Sequence, residues 1–236
     1  MSEGNGPRPR TAVIIPALNE AACIGYVVGQ IPWMLVDECI VVDNGSTDGT
    51  AEAAIHAGAR VVHQPLQGYG RAIRTGIAAA HPDTQIFICM DGDGSDVPSQ
   101  LPRLLNPILA GEADFVIGSR MRGTRARGGM NAGQIFACWF AGAMLHTLYR
   151  VRYTDMGPFR AITRQALDRL DMKEETYGWN LEMQMRAAQQ KLRILEVPTD
   201  CRARYGGESK VSGSLKGAAR AAVRITQTLL RVASQR

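Results

Sequence analysis

The chain has 236 residues, 45% of them hydrophobic and 21% charged, and carries a formal net charge of +5 at neutral pH. That profile belongs to a globular protein with one large core; the mild positive balance welcomes an anionic partner and gives no reason to expect a nucleic acid. The longest apolar run, Ile135 to Leu145, falls short of the roughly 20 residues that a membrane span needs.

Taken in chain order, Thr11 to Pro16 reads as a buried strand and Glu20 to Ile31 as a helix. Cys39 to Asp43 is a second strand, ended by the turn signal Asn44-Gly45-Ser46, and Thr47 to Thr50 offers caps for an Ala-rich helix that stops at Gly58. Arg60 to His63 is a third strand, Gly70 to Ala80 a helix, Gln85 to Met90 a fourth strand, Gln100 to Ala110 a helix and Asp114 to Ile117 a fifth strand. Strands alternating with helices over short loops predict βαβ units and an α/β fold with a mostly parallel central sheet flanked by helices.

Beyond Gly118 the pattern changes. Ser119 to Asn131 holds four arginines, several glycines and no acid, and is expected to be a mobile basic loop. A helix is predicted over Ala132 to Tyr149, followed by a GPFRAI segment, a helix around Tyr177 to Gln190 and a strand from Leu192 to Val197. A loop, RARYGGESKVSG, leads to a basic amphipathic helix from Ser214 to Val232, which is expected to pack on the domain. The expected organisation is a polar tail over 1–9 without signal-peptide character, one domain over 10–212 and the C-terminal helix over 213–236. The five scattered cysteines, with no CxxC pair, read as reduced thiols of a cytosolic protein.

The segment MDGDGSD, residues 90 to 96, superficially matches a calcium loop. It fails that template, because Asp96 stands where the sharp-turn Gly belongs and Pro102 where the bidentate Glu belongs. Asp91 and Asp93 instead follow a strand, as Asn19-Glu20 and Asp43 do, and open α/β sheets gather ligands at their strand C-termini. Two carboxylates one residue apart suit a hard divalent cation bridging to phosphate oxygens. Gly68-Tyr69-Gly70 lacks the third Gly of a dinucleotide fingerprint and reads as the start of a helix beside the pocket. The four histidines show no metal-like spacing.

The ordered set PALNE, VVDNGSTDGT, QGYGRAIRTGI, MDGDGSD, ADFVIGSR, TDMGPFRA and YGWNLEMQ resembles the family 2 glycosyltransferases, and within them the dolichyl- and polyprenyl-phosphate mannosyl- or glucosyltransferase branch. The resemblance spans about residues 10 to 212 and implies a single GT-A domain and inverting hexose transfer with Mg²⁺ or Mn²⁺. The donor would be a nucleotide-diphosphate sugar of the UDP-glucose or GDP-mannose type. It further implies that Pro16, Ala17, Asn19 and Glu20 frame the nucleotide, that Asp43 contacts base or ribose, and that Gly70 lies at its pocket. Asp91, Gly92 and Asp93 would form the metal and diphosphate loop, with Asp93 the more direct ligand. Arg120 would face phosphates or acceptor, Glu182 would be a catalytic acid or base, and Arg204, Ser209 and Lys210 would face phosphate. Ser95 stands where prenyl-phosphate enzymes often carry a Gln.

The acceptor classes left open are a prenyl phosphate and a small soluble hydroxyl or phosphate compound; a hydroxyl acceptor would need Glu182 as base, a phosphate acceptor would not. A nucleotidyltransferase is disfavoured because PALNE replaces its glycine-rich loop, and a non-catalytic nucleotide-sugar-binding subunit is the alternative from another class. The expected location is cytoplasmic or peripheral at the inner membrane face, with contact through the basic C-terminal helix; a homo-oligomer is compatible with all of this.

Overall fold

The structure, a computed structural model, describes residues 8–206 and 215–235, with residues 215–222 described by backbone alone. Seven strands form one sheet: β1 (Thr11–Ala17), β2 (Glu38–Asp43), β3 (Arg60–His63), β4 (Ile86–Cys89), β5 (Phe115–Ser119), β6 (Arg160–Thr163) and β7 (Ile194–Pro198). Their order is β3-β2-β1-β4-β6-β5-β7. All neighbours run parallel except β6, which is antiparallel to both β4 and β5. The expected mostly parallel α/β sheet is therefore present.

The helices are α1 (Ala21–Gly29), α2 (Thr50–His56), α3 (Tyr69–Ala79), α4 (Leu101–Leu109), α5 (Ala132–Tyr149), α6 (Arg164–Leu170), α7 (Trp179–Gln189) and α8 (Leu215–Ala233). Strands β1, β2 and β4 are apolar on both sides because both sheet faces are covered. On one face Ile24, Val27, Leu101 and Leu104 of α1 and α4 pack on Val13, Val41 and Ile88. On the other, Ile73, Leu145, Leu167, Trp179 and Val232 of α3, α5, α6, α7 and α8 pack on Ile14, Ile40 and Phe87.

Strand β6 and helix α6 were not predicted as elements. Four residues with an arginine in first place carry no strand period, yet Arg160 is wholly buried, its guanidinium over the Phe115 ring at 5.7 Å and its Nε donating to the Gly157 carbonyl at 3.1 Å. Helix α6 starts where the Thr163 hydroxyl accepts from the Ala166 N–H at 3.2 Å.

The basic loop after β5 also departs from the sequence expectation of mobility. It is pinned along residues 196–201: Thr124 N–H donates to Asp200 Oδ1 at 3.0 Å, Ala126 N–H to the Cys201 carbonyl at 2.8 Å, and Cys201 N–H to the Thr124 carbonyl at 2.9 Å. All five cysteines are free and buried, as the sequence reading holds.

The chain leaves β1 through α1, β2 and α2 to β3 on one side, then crosses by α3 to β4 on the other side of β1. The cleft outside the C-terminal ends of β1 and β4 is thus the topological switch point, where a doubly wound sheet opens to bind a ligand.

Candidate active site

The wall of this cleft begins at Pro16 and Ala17, the last residues of β1, with Asp43 in register beside Ala17 at the end of β2. The loops that follow them are stitched together by side-chain hydrogen bonds. Asn19, held at φ 52°, donates its N–H to Ser46 Oγ at 2.9 Å and accepts from the Thr47 N–H at 2.8 Å. Glu20 N–H donates to Thr50 Oγ1 at 2.8 Å, and Asp43 Oδ1 accepts from Ser46 N–H at 2.9 Å. The short polar side chains of PALNE and DNGSTDGT therefore hold each other, which is why the two motifs need Asn, Ser, Thr and Asp. His63, given no role by its spacing, brings Nδ1 to 3.1 Å from Asp43 Oδ2.

The floor is the loop after β4. Asp96 Oδ2 accepts from the Asp91 N–H at 3.0 Å, and Asp93 Oδ1 accepts from the Ser95 N–H at 2.9 Å, so the loop coils on its own carboxylates. Gly92 backs onto β1: a Cβ there would meet Ile15 and Ile24, each at 3.2 Å. Gly94 sits at φ 80°, with Tyr205 directly above it. Ser95 contributes its backbone, its carbonyl accepting from Arg202 N–H at 2.9 Å.

Arg204 reaches into this cluster from the other end of the chain. Its Nη1 donates to Asp93 Oδ2 at 2.9 Å, and its Nη2 donates to both carboxylate oxygens of Glu20. Glu20, Asp93 and Arg204 are thus in direct contact, with Asp91 and the buried Asp96 alongside. Burial, followed by the charges of Asp93 and Asp96, pushes the Asp91 carboxyl well above its ordinary range. Asp96 is pushed up to about 7, mainly by burial, with Asp93 adding to it against the Asp91 hydrogen bond. The sequence reading used Asp96 only as a mismatch to the calcium loop and gave it no place in the site; its signal was present as the third acid of DGDGSD.

A set of oxygen donors whose negative charges oppose one another has the chemistry of a hard-cation site, and Asp91 and Asp93 are the residues that could hold such an ion. Among the described residues no three His, Cys, Asp or Glu side chains converge as a closed cage.

Arg120 closes the far side. It is clamped by Asp155: backbone N–H and Nε to Oδ2, and Nη2 to Oδ1, all at 2.8 Å. Cys138 Sγ of α5 also donates to Asp155 Oδ1, at 3.2 Å. The Arg120 charge bears on both Asp91 and Asp96 and favours their ionised forms.

Two expected site residues stand apart. Gly70 lies beneath the segment before α7, where a Cβ would strike the Glu174 backbone and approach Trp179 at 3.0 Å; its lack of a side chain serves that packing. Glu182 is engaged by its own surroundings. It is fully buried and accepts from the N–H groups of Lys173 at 3.0 Å and Glu174 at 2.6 Å and from Arg186 Nε at 2.9 Å, so its oxygens are committed to structure. Ser209 and Lys210 lie outside the described residues.

The family described as glycosyl transferase family 2 matches the chain over residues 12–171. Among curated relatives, a dolichyl-phosphate hexose transferase of Haloferax volcanii is 35% identical over 217 residues, spanning 88% of this chain and 89% of its own length. An undecaprenyl-phosphate mannosyltransferase of Micrococcus luteus is 31% identical over 226 residues, spanning 89% of this chain and 90% of its own. Among solved structures, glucosyl-3-phosphoglycerate synthase from Mycobacterium tuberculosis, in complex with Mn²⁺, UDP-glucose and glycerol 3-phosphate, superposes with a TM-score of 0.75. That pair shares 26% identity and covers 96% of this chain and 80% of the other. The chain belongs to glycosyl transferase family 2; it is a glycosyltransferase of GT-A fold whose relatives include the polyprenyl-phosphate mannosyltransferase branch.

Proposed function

We propose that the chain transfers a hexose, with inversion, from a nucleotide-diphosphate sugar to a polyprenyl or dolichyl phosphate, in a metal-dependent reaction at the cytoplasmic membrane face. The observation that carries this reading is the cluster at the β1/β4 switch point, where Asp91 and Asp93 lie beside Arg204 and Glu20. Carboxylates for a cation and a guanidinium for phosphate, side by side, are what a departing nucleoside diphosphate requires. The relatives named for undecaprenyl and dolichyl phosphate support the acceptor class.

In this mechanism the acceptor phosphate oxygen attacks the anomeric carbon as the bond to the diphosphate oxygen breaks, and the electron pair leaves with the nucleoside diphosphate. Pro16, Ala17, Asn19, Glu20 and Asp43 hold the nucleotide against the ends of β1 and β2. Asp91 and Asp93 would hold the cation, which supplies neutralisation of the diphosphate when bound. Arg204 and Arg120 add fixed positive charge to either side of the leaving group. An acceptor phosphate is already anionic and needs no general base, which agrees with the structural commitment of Glu182.

A soluble phosphorylated acceptor is the second reading, favoured by the solved relative bound to glycerol 3-phosphate. Calorimetric titration with UDP- and GDP-sugars, with and without Mn²⁺, is the first test. Metal-dependent binding of one donor is expected, and Asp93→Ala should abolish it. Absence of binding for every donor and metal would withdraw the enzyme assignment for the isolated chain. Transfer from the bound donor to undecaprenyl phosphate, against glycerol 3-phosphate, then separates the two acceptor readings.

A further inference from the structure

Helix α5 has a surface unlike any other in the described fold. Over its 18 residues it carries no Asp, Glu, Lys or Arg. Its inner edge, Cys138, Ala141, Gly142 and Leu145, is buried, whereas Phe136, Trp139 and Phe140 are 63%, 65% and 55% exposed. These three fall on one stripe at helical spacing, continued by exposed Ala143. The Phe136 ring lies between the other two, its centroid 6.1 Å from that of Trp139 and 6.3 Å from that of Phe140, so the three form one aromatic patch. Single exposed apolar residues need no account; three adjoining aromatics on an uncharged helix do.

Charge brackets the patch. Exposed Arg125 and Arg127 precede the helix, and exposed Arg150 and Arg152 follow it. Aromatic rings in the middle with guanidinium groups at both ends match the profile of an anionic bilayer surface: apolar contact below the headgroups, positive charge at their level. The helix is about 27 Å long at the standard rise and could lie flat across many lipids. No helix among the described residues is long and apolar enough to cross a membrane.

We infer that α5 is a membrane-docking helix, which places Phe136, Trp139 and Phe140 into the interface of a bilayer rich in anionic phospholipid. Its position relative to the catalytic cleft gives the contact a use. The opposite edge of the same helix holds Cys138, whose thiol donates to Asp155, the residue that clamps Arg120. Docking through the aromatic edge therefore brings the Arg120 side of the cleft close to the headgroup layer, where a lipid-borne phosphate resides. The C-terminal helix α8 turns Thr228 and Val232 inward against the domain, in line with the packing expected from its sequence.

Flotation of the purified full chain with vesicles tests this directly. Phosphatidylcholine vesicles, alone and mixed with phosphatidylglycerol, are compared in the absence of donor and acceptor, so that a failed transferase assay leaves the result standing. The chain should float with the anionic vesicles and less with the neutral ones, and added salt should weaken the association. Phe136→Ser and Trp139→Ser should each lower the partition by about tenfold, the scale of withdrawing one aromatic side chain from an apolar phase. Arg125→Glu with Arg127→Glu should remove the preference for anionic lipid. Far-UV circular dichroism guards against misfolding, and Phe140→Ser provides an independent third substitution on the same stripe. Flotation undiminished in the serine variants would overturn the assignment. So would a chain that ignores vesicles but is a dimer in solution and becomes monomeric with Trp139→Ser, since a second copy would then be the occupant.

Discussion

Asp155 and Glu182 are both buried acids, and each is committed to partners that define its behaviour. Burial alone would raise the Asp155 carboxyl, but the hydrogen bonds and charge of Arg120 outweigh it and hold the group below its ordinary range. A carboxyl depressed in the folded state stabilises the fold above the ordinary carboxylate range, near pH 4, and loses that contribution as pH falls through the depressed value. Thermal unfolding from pH 7 to pH 3 should therefore show Asp155→Asn less stable at neutrality by about 3 kcal/mol, because it strands the Arg120 guanidinium. The difference from wild type should shrink only in the acid limb; a constant gap at every pH would mean that the pair contributes no linked ionisation.

Glu182 differs in that it holds two backbone N–H groups of the segment before α7 as well as the Arg186 guanidinium. Glu182→Gln should cost about 2 kcal/mol of stability, the scale of a hydrogen bond to a charged group, while turnover with a phosphate acceptor falls less than tenfold. Turnover reduced a hundredfold with unchanged stability would restore Glu182 as the base. The sequence motif YGWNLEMQ drew attention to Glu182 through its family resemblance. Its surroundings were only half legible: Arg186, four residues on, is a visible partner, whereas the backbone N–H groups of residues 173 and 174 leave no side-chain signature.

Among elements, the C-terminal helix and the segment it holds show how packing decides what patterning leaves open. Glu174 Oε2 accepts from Thr228 Oγ1 at 2.8 Å and from Arg231 Nη2 at 2.9 Å, so α8 grips the 174–176 segment from outside. That segment in turn receives the Arg71 N–H at the start of α3, at the Glu175 carbonyl and 2.9 Å. Gly178 makes the approach of α8 achievable, since a Cβ there would meet Thr228 Cβ at 2.9 Å. Gly178→Ala should destabilise by about 1–3 kcal/mol through overpacking, read as a lower urea midpoint with an unchanged slope. No loss of stability would mean that α8 yields easily and does not clamp the segment. Helix α5, by contrast, was legible to the residue: Asn131 and Gln134 cap each other's backbone N–H groups at 2.9 and 2.8 Å, and its end coincides with the predicted one. Strand β6 was illegible because a buried arginine supported by carbonyls and an aromatic face looks, in sequence, like a polar loop.

At the scale of the whole molecule, the alternation of apolar runs and helices already determined a mostly parallel α/β sheet, and the acids at three strand ends pointed to its C-terminal edge as the candidate site. Those signals are local: a strand buried on both faces must be continuously apolar, and a ligand-binding loop must be polar where the strand stops. Tertiary structure alone decided the rest. It inserted β6 antiparallel between β4 and β5, brought Arg204 across to Glu20 and Asp93, added Asp96 to the carboxylate cluster and withdrew Glu182 from it. The Arg204 contacts join residues more than a hundred positions apart and leave no periodicity in the chain; they exist only once the two halves of the sheet have closed on a common core.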